Sequence, residues 1–337
     1  MKRVTLKDIA QQADVSISTV SLALRGHPRI PQETVDRIKE LAASMGYAPD
    51  PWLSSLSSYR SKTDVGERNT TIAVITNWET KAAWRSNETI MNYWNGALGM
   101  AEQMGYKLEE FWMPELGGEE RTRSILYNRG IKAILLLPQP PEVDRMSFDF
   151  SDFSVTQVGR TLHWPIVNTV THDHYGAMHL AGFHLNRMNY KRIGLAVTEG
   201  ANRVHRWRWV ASYLAKQYEL SASMEMHPYM PQQMEKGSFL DWLKESRCDV
   251  VVSNEFAPYA FMKEVGMRVP DDIGFCCLCL EGRSDISGIQ MKSEFSGAQA
   301  VSLLHMETMN RELGCPENPM THLIEGSWNP GSTIREQ

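Results

Sequence analysis

The chain has 337 residues, 42% of them apolar, and a formal net charge of −5, which allows two or three domains around a sizeable buried core. Residues 1–62 carry nine Lys and Arg against six Asp and Glu, about +3, leaving 26 against 34, about −8, for the remainder; nucleic acid is therefore expected to meet the first part only. The N-terminus lacks the apolar run of a signal peptide and no stretch approaches a membrane span, so a cytoplasmic protein is expected.

The stretch from Val4 to Arg29 predicts two short helices joined by a tight turn. Thr5 is a good N-cap, Asp8 stands where its carboxylate reaches back, and Leu6, Ile9, Ala10 and Ala13 share a face. After Asp14-Val15, Ser16 caps a second helix that turns Val20 and Leu24 inward beside Val15 and Ala23. The opposite face, Ile17, Ser18, Ser21, Leu22 and Arg25, is compact enough to enter a DNA major groove, with its hydroxyls and first-turn amides on phosphates. A third helix starts near Pro31, buries Val35, Ile38, Leu41 and Met45, and stops at Gly46. Asp50 and Pro51 begin a further short helix through Trp52, Leu53 and Leu56, and Ser61–Thr70 is a polar linker.

From Thr71 short β-rich runs alternate with helical stretches: TIAVITNW, YKLEEFWM, IKAILLLP and DFSVTQVG, then, after PIVNTVTHD and the helix YGAMHLAGFHLNRMN, RIGLAVT, DVVVSNE, FCCLCL and SGIQM, with a helix expected over HRWRWVASYLAKQY. Such alternation predicts parallel sheets with right-handed crossovers, in two lobes. Cys276, Cys277 and Cys279 are expected in a buried strand of a reducing compartment.

VTLKDIAQQADVSISTVSLALRG followed by TVDRIKELAASMGYAPDPWLSSL resembles the headpiece of the LacI/GalR family of bacterial transcription regulators, with T-L-x-D-I-A, V-S-x-S-T-V-S and GY-x-P at the family's spacing. RGIKAILLLP and DVVVSNEFAPYAFMKEVGMRVPDDIGF resemble its effector-binding core, so the likeness extends over nearly the whole chain. The resemblance implies an all-α helix-turn-helix headpiece (1–49), a hinge helix and linker (50–70), and an α/β core (71–337) like the type I periplasmic binding proteins. The core's lobes are expected at about 71–160 and 190–290, with the C-terminal segment crossing back. It further implies a homodimer that represses transcription from double-stranded operator DNA, with a hinge leucine, here Leu56, wedged into the minor groove. The candidate DNA contacts are Thr5, Ser16, Ile17, Ser18, Thr19, Ser21, Leu22, Arg25, Arg29 and Leu56.

In open α/β sheets a ligand sits beyond the carboxyl ends of the strands. The candidates there are Asn77, Trp78, Arg160, Asp173, Asn254 and Glu281, together with Arg206 or Arg208. In the resembled family Asn254, Glu281 and one of those two arginines stand at effector-contacting positions. Asp, Asn and Arg beside aromatic rings suit a small effector, a sugar or derivative. Trp78, Trp84, Trp207 and Trp209 are unusually dense, either as stacking faces or as core. The chain shows no G-x-S-x-G, H-E-x-x-H, Walker or G-x-G-x-x-G motif, so neither enzyme activity nor a cofactor is expected. His172-Asp173-His174 has no third ligand in view. The alternative reading is a solute-binding or small-molecule-modifying α/β protein whose N-terminal helices dock a partner.

Overall fold

The computed structural model describes residues 4–24, 30–45, 47, 71–219 and 228–337. The expected hinge helix with Leu56, and Arg25, Arg29 and Gly46, lie outside the described residues. Two compact units are present, Met1–Arg68 and Asn69–Gln337.

In the first unit α1 (Leu6–Ala13) opens on a capping box. Thr5 Oγ1 accepts the Asp8 N–H at 3.4 Å while the Thr5 N–H donates to Asp8 Oδ2 at 2.7 Å, so both ends of the motif satisfy amides the helix leaves open. Asp14 stops α1 with φ 52°. α2 (Ile17–Leu24) begins where Ser16 Oγ accepts the Thr19 N–H at 3.0 Å, and α3 (Gln32–Ser44) follows Pro31 and ends on Met45. Ile9, Ala10, Ala13, Val20, Ala23, Val35, Ile38 and Ala42 form the core; Leu24, Leu41 and Met45, expected inside, are half-buried at its margin.

The second unit alternates strands and helices. β1 (Thr71–Thr76), α4 (Glu88–Gln103), β2 (Lys107–Trp112), α5 (Met113–Leu116), α6 (Glu119–Asn128), β3 (Ala133–Leu136), β4 (Ser154–Val158) and β5 (Asn168–His172) come first. Next are α7 (His174–Arg187), β6 (Ile193–Ala196), α8 (Glu199–Val204), α9 (Arg208–Glu219), α10 (Lys236–Ser246), β7 (Val250–Ser253), α11 (Ala257–Glu264), β8 (Gly274–Leu280) and β9 (Gly288–Gln290). The chain closes with α12 (Ser293–Asn310), β10 (Thr321–Ile324) and β11 (Ser327–Asn329).

One sheet has the order β10-β5-β4-β3-β1-β2, all parallel; the other is β11-β9-β8-β7-β6, parallel except for β11. Strands covered on both faces need apolar residues on both. Accordingly Ile72 and Val74 of β1 enter the cluster under α4 and α12, while Ala73 and Ile75 enter the cluster on the opposite face.

The lobes are interleaved. The first sheet includes β5, so that lobe runs past residue 160 to His172, and α7, which packs on α9, β8, β9 and β11, opens the second lobe before residue 190. α12 and β10 return to the first lobe and β11 goes back. The chain therefore crosses at Asp173, at Met291-Lys292 and at Glu325-Gly326. The crossings lie side by side: the Asp173 N–H donates to Ile324 O at 3.0 Å, and Ser327 pairs with Gln290.

α12 presses on α4 without intervening side chains. A Cβ at Gly96 would lie 1.7 Å from Glu294 O, and one at Gly297 2.0 Å from Tyr93 O. On its other side Glu307, 4% exposed, accepts from Thr156 Oγ1 at 2.8 Å and Asn168 Nδ2 at 2.7 Å; burial raises its pKa. In β8, Cys276 and Cys277 enter clusters on opposite faces, and a register shift between Cys277 and Leu280 puts Cys279 against the cluster that holds Cys276. All three thiols are free, and burial pushes Cys277 up to about 12.

Candidate DNA and effector sites

On α2, Ile17 is 49% exposed, Ser18 is exposed, and Ser21 and Leu22 are half-buried. Leu22 takes no part in the headpiece core. Ser16 Oγ lies 2.6 Å from Ser18 Oγ and 2.8 Å from Thr19 Oγ1, which concentrates hydroxyls at a helix N-terminus whose first amides have no partner inside the helix. Thr5 and Ser16 are committed to capping; Ile17, Ser18, Ser21 and Leu22 remain as the outward surface.

At the strand ends of the second unit the expected effector residues divide into four groups. Asn77 and Trp78 follow β1; Trp78 is tied down, donating through Nε1 to Pro138 O at 3.0 Å and accepting at its carbonyl from Trp112 Nε1 at 2.8 Å. Asn254 follows β7, and its Oδ1 is buried without a partner. Glu281 follows the irregular end of β8 and spans both lobes: Oε1 accepts from Thr89 at 2.9 Å and Ser293 at 2.5 Å, and Oε2 from Asn92 at 2.9 Å. Thr89 and Asn92 belong to α4, so this carboxylate fastens one lobe to the other.

Arg160, Asp173, Arg206 and Arg208 gather around a set of imidazoles. The helix expected from His205 does not start there: Arg206 and Trp207 are left-handed, φ 53° and 59°, and α9 begins at Arg208. Two successive non-glycine residues in that region cost roughly 1–3 kcal/mol each, and the turn carries both arginines. His174 and His205 lie 3.9 Å apart between ring centroids, with Trp209 at 4.9 and 4.8 Å from them. His163 Nε2 is 3.3 Å from Val204 O. Ser293 gives its one proton to Glu281, so His172 Nε2, 3.1 Å away, is the donor to Ser293, and its buried Nδ1 is left an acceptor without a partner. His174 Nδ1 donates to His172 O at 2.8 Å. Burial, with His174 nearby, lowers His172 to about 3; burial, helped by Arg208 and Arg160, lowers His174 to about 4; His205 is lowered by burial and the neighbouring imidazoles. All three are neutral at pH 7.

Of the four tryptophans, Trp84 and Trp209 are core residues, 1% exposed, whereas Trp207 is exposed and Trp78 half-buried. Among the described residues no group of three or more His, Cys, Asp or Glu is placed to hold a metal ion, and no helix is long and apolar enough to cross a membrane.

Residues 5–50 match the family described as bacterial regulatory proteins, lacI family. The first unit is a lacI-family helix-turn-helix domain. The HTH-type transcriptional regulator MalR of Staphylococcus xylosus is 43% identical over 60 residues, a match spanning 18% of either chain. Among solved structures, the transcriptional regulator CelR-cellobiose complex aligns over 99% of both chains at 17% identity with a TM-score of 0.54. The lac repressor dimer bound to operator and the anti-inducer ONPF aligns over 98% of this chain and 99% of its own at 16% identity, TM-score 0.56. Behind its lacI-type headpiece the chain thus has the two-lobed fold of such regulators.

Sequence spacing does not single out Thr89, Asn92 and Ser293, which bind Glu281, nor His163 and His205, which join His172 and His174. These residues come from separate elements, and only the interleaving of the lobes brings them together. One signal is present in the sequence: the density of His and Arg within 203–208.

Proposed function

We propose that this protein is a sequence-specific DNA-binding transcriptional regulator, a repressor acting as a cytoplasmic homodimer, whose operator affinity is set by a small carbohydrate bound between the lobes. The observation that carries this reading is the lacI-type headpiece, with α2 presenting Ile17, Ser18, Ser21 and Leu22 outward, joined in one chain to a two-lobed core. The neutral imidazoles and the unpartnered Asn254 at the strand ends support a polar ligand there. By linkage, a ligand that favours one lobe arrangement changes operator affinity only as far as the two arrangements differ in binding DNA.

Selection of DNA from a randomised pool by the full chain, followed by gel shifts, tests the reading. The expected result is a roughly palindromic site bound by two headpieces, with affinity falling steeply as salt rises because phosphate contacts release counterions. Binding that shows no sequence preference, or a tight complex with a single headpiece, contradicts it.

A further inference from the structure

Three guanidiniums converge where the lobes meet. Arg160 comes from the end of β4 and Arg206 and Arg208 from the turn into α9. The 3.3 Å approach of His163 Nε2 to Val204 O holds the two segments together, close enough for the two arginines to act on the Arg160 charge. Of the other arginines in this unit, Arg85, Arg123, Arg129, Arg268, Arg283 and Arg335 sit on carboxylates, while Arg192 donates to the carbonyls of Ser246 and Arg247. Among the described residues Arg160, Arg206 and Arg208 form no ion pair. Arg160 donates to Thr321 Oγ1 at 2.5 Å, and its Nε is buried without a partner. Burial first, then Arg206 and Arg208, brings its pKa down to about 10, so it still carries its charge at pH 7.

Of the carboxylates at these strand ends, Glu255 after β7 is half-buried with its pKa raised by burial, and Asp173 and Glu281 are already engaged. Asp173 Oδ1 caps α7 by accepting the Gly176 N–H at 2.9 Å, and Glu281 is held by Thr89, Asn92 and Ser293. Among the described residues none of the three guanidiniums has a carboxylate within ion-pair distance, in a unit that is acidic as a whole. A guanidinium offers donors in a fixed fork and no acceptor. A neutral sugar, whose hydroxyls must donate as well as accept, matches it poorly, whereas an oxyanion accepts from several forks at once and neutralises the charge.

We propose that the effector is an anionic carbohydrate, a sugar acid or sugar phosphate, whose oxyanion lies between Arg160 of the first lobe and Arg206 and Arg208 of the second. The inference rests on the effector-cleft reading above and adds the ligand's charge. An anion shared by arginines of both lobes draws the lobes together, and the left-handed turn at Arg206-Trp207 fixes the direction of the second lobe's contribution.

Calorimetry on the full chain at constant ionic strength tests this with four probes: glucose, glucuronate, glucose 6-phosphate and inorganic phosphate. Glucuronate or glucose 6-phosphate is expected to bind at least tenfold more tightly than glucose; whichever is tighter tells carboxylate from phosphoryl, and inorganic phosphate binds more weakly than that probe. Arg206→Gln, at an exposed position, is expected to weaken the preferred probe tenfold or more, and Arg160→Lys to weaken it less than Arg160→Gln. Glucose equal to the anionic probes, inorganic phosphate as tight as either, no binding by any of the four, or unchanged affinity in Arg206→Gln overturns the proposal. Gel shifts on the same preparation keep the two readings apart. Operator binding that persists while the anionic probes fail sinks the charge assignment alone, and loss of sequence-specific DNA binding sinks the regulator reading whatever calorimetry shows.

Discussion

Leu22 is the residue whose exchange tests the reading of the DNA surface most directly. It is outside the headpiece core, one turn on from Ser18 on the outward side of α2. A leucine offers a base pair only apolar contact, such as the methyl of thymine, whereas arginine is the commonest bidentate reader of guanine. Leu22→Arg should therefore shift one half-site position toward guanine in a selection from randomised DNA, by about 1–3 kcal/mol of discrimination; an unchanged preference would place residue 22 away from the base edges. How far single residues were legible in the sequence follows from the range of their contacts. Thr5, Asp8 and Ser16 act on amides three residues away, so their capping roles follow from spacing alone. Glu281 was expected among ligand contacts because it ends a strand, yet its partners Thr89 and Asn92 are 192 and 189 positions away. No local pattern encodes that bond.

Among the elements, α12 was the hardest to foresee. Its buried side holds Ser293, Ser296, Gly297 and Glu307 beside Ala300, Val301, Leu303 and Leu304, because one flank needs small residues against α4 and the other needs a carboxylate for Thr156 and Asn168. A helix covered on two sides loses the single apolar stripe that betrays an amphipathic one. The strands β1, β3, β6 and β7 were legible for the converse reason: burial on both faces makes them continuous apolar runs. Close approach of α4 and α12 also reverses an ordinary rule. Replacing a helical glycine by alanine stabilises by up to about 1 kcal/mol where there is room. Gly99, with nothing within 4 Å of its added Cβ, should behave so, whereas Gly297→Ala meets the Tyr93 carbonyl and should destabilise by about 1–3 kcal/mol. Thermal melts of the two variants are expected to move in opposite directions, and a stabilised Gly297→Ala would contradict the observed helix contact.

At the scale of the molecule the buried imidazoles set the response to acid. His172 and His174 have folded pKa values of about 3 and about 4, below the ordinary 6.5 of an exposed histidine. Between those values the unfolded chain binds more protons than the folded one, so stability falls as the pH drops from about 6.5 toward 4. Each of the two should withdraw about 2 kcal/mol by pH 5, and His205 adds in the same direction. Denaturant titrations of the wild type and of His174→Phe between pH 7 and 5 measure this: the variant is expected to lose less stability over the interval. Equal losses would show that His174 is not held neutral by the fold.

The three neighbouring crossings at Asp173, Met291-Lys292 and Glu325-Gly326 carry a mechanical consequence. A single tether would let two bodies swing and spin about a point, and two separated tethers would still let them shear. Three adjacent strands, cross-linked by the Asp173 to Ile324 hydrogen bond and the Ser327 to Gln290 pairing, behave as a flat leaf spring, stiff to twist and compliant in one bend. A small molecule bound at the strand ends, as proposed, would work on a lever with one axis, and angular movement there would emerge at the far ends of the lobes as displacement in a fixed direction.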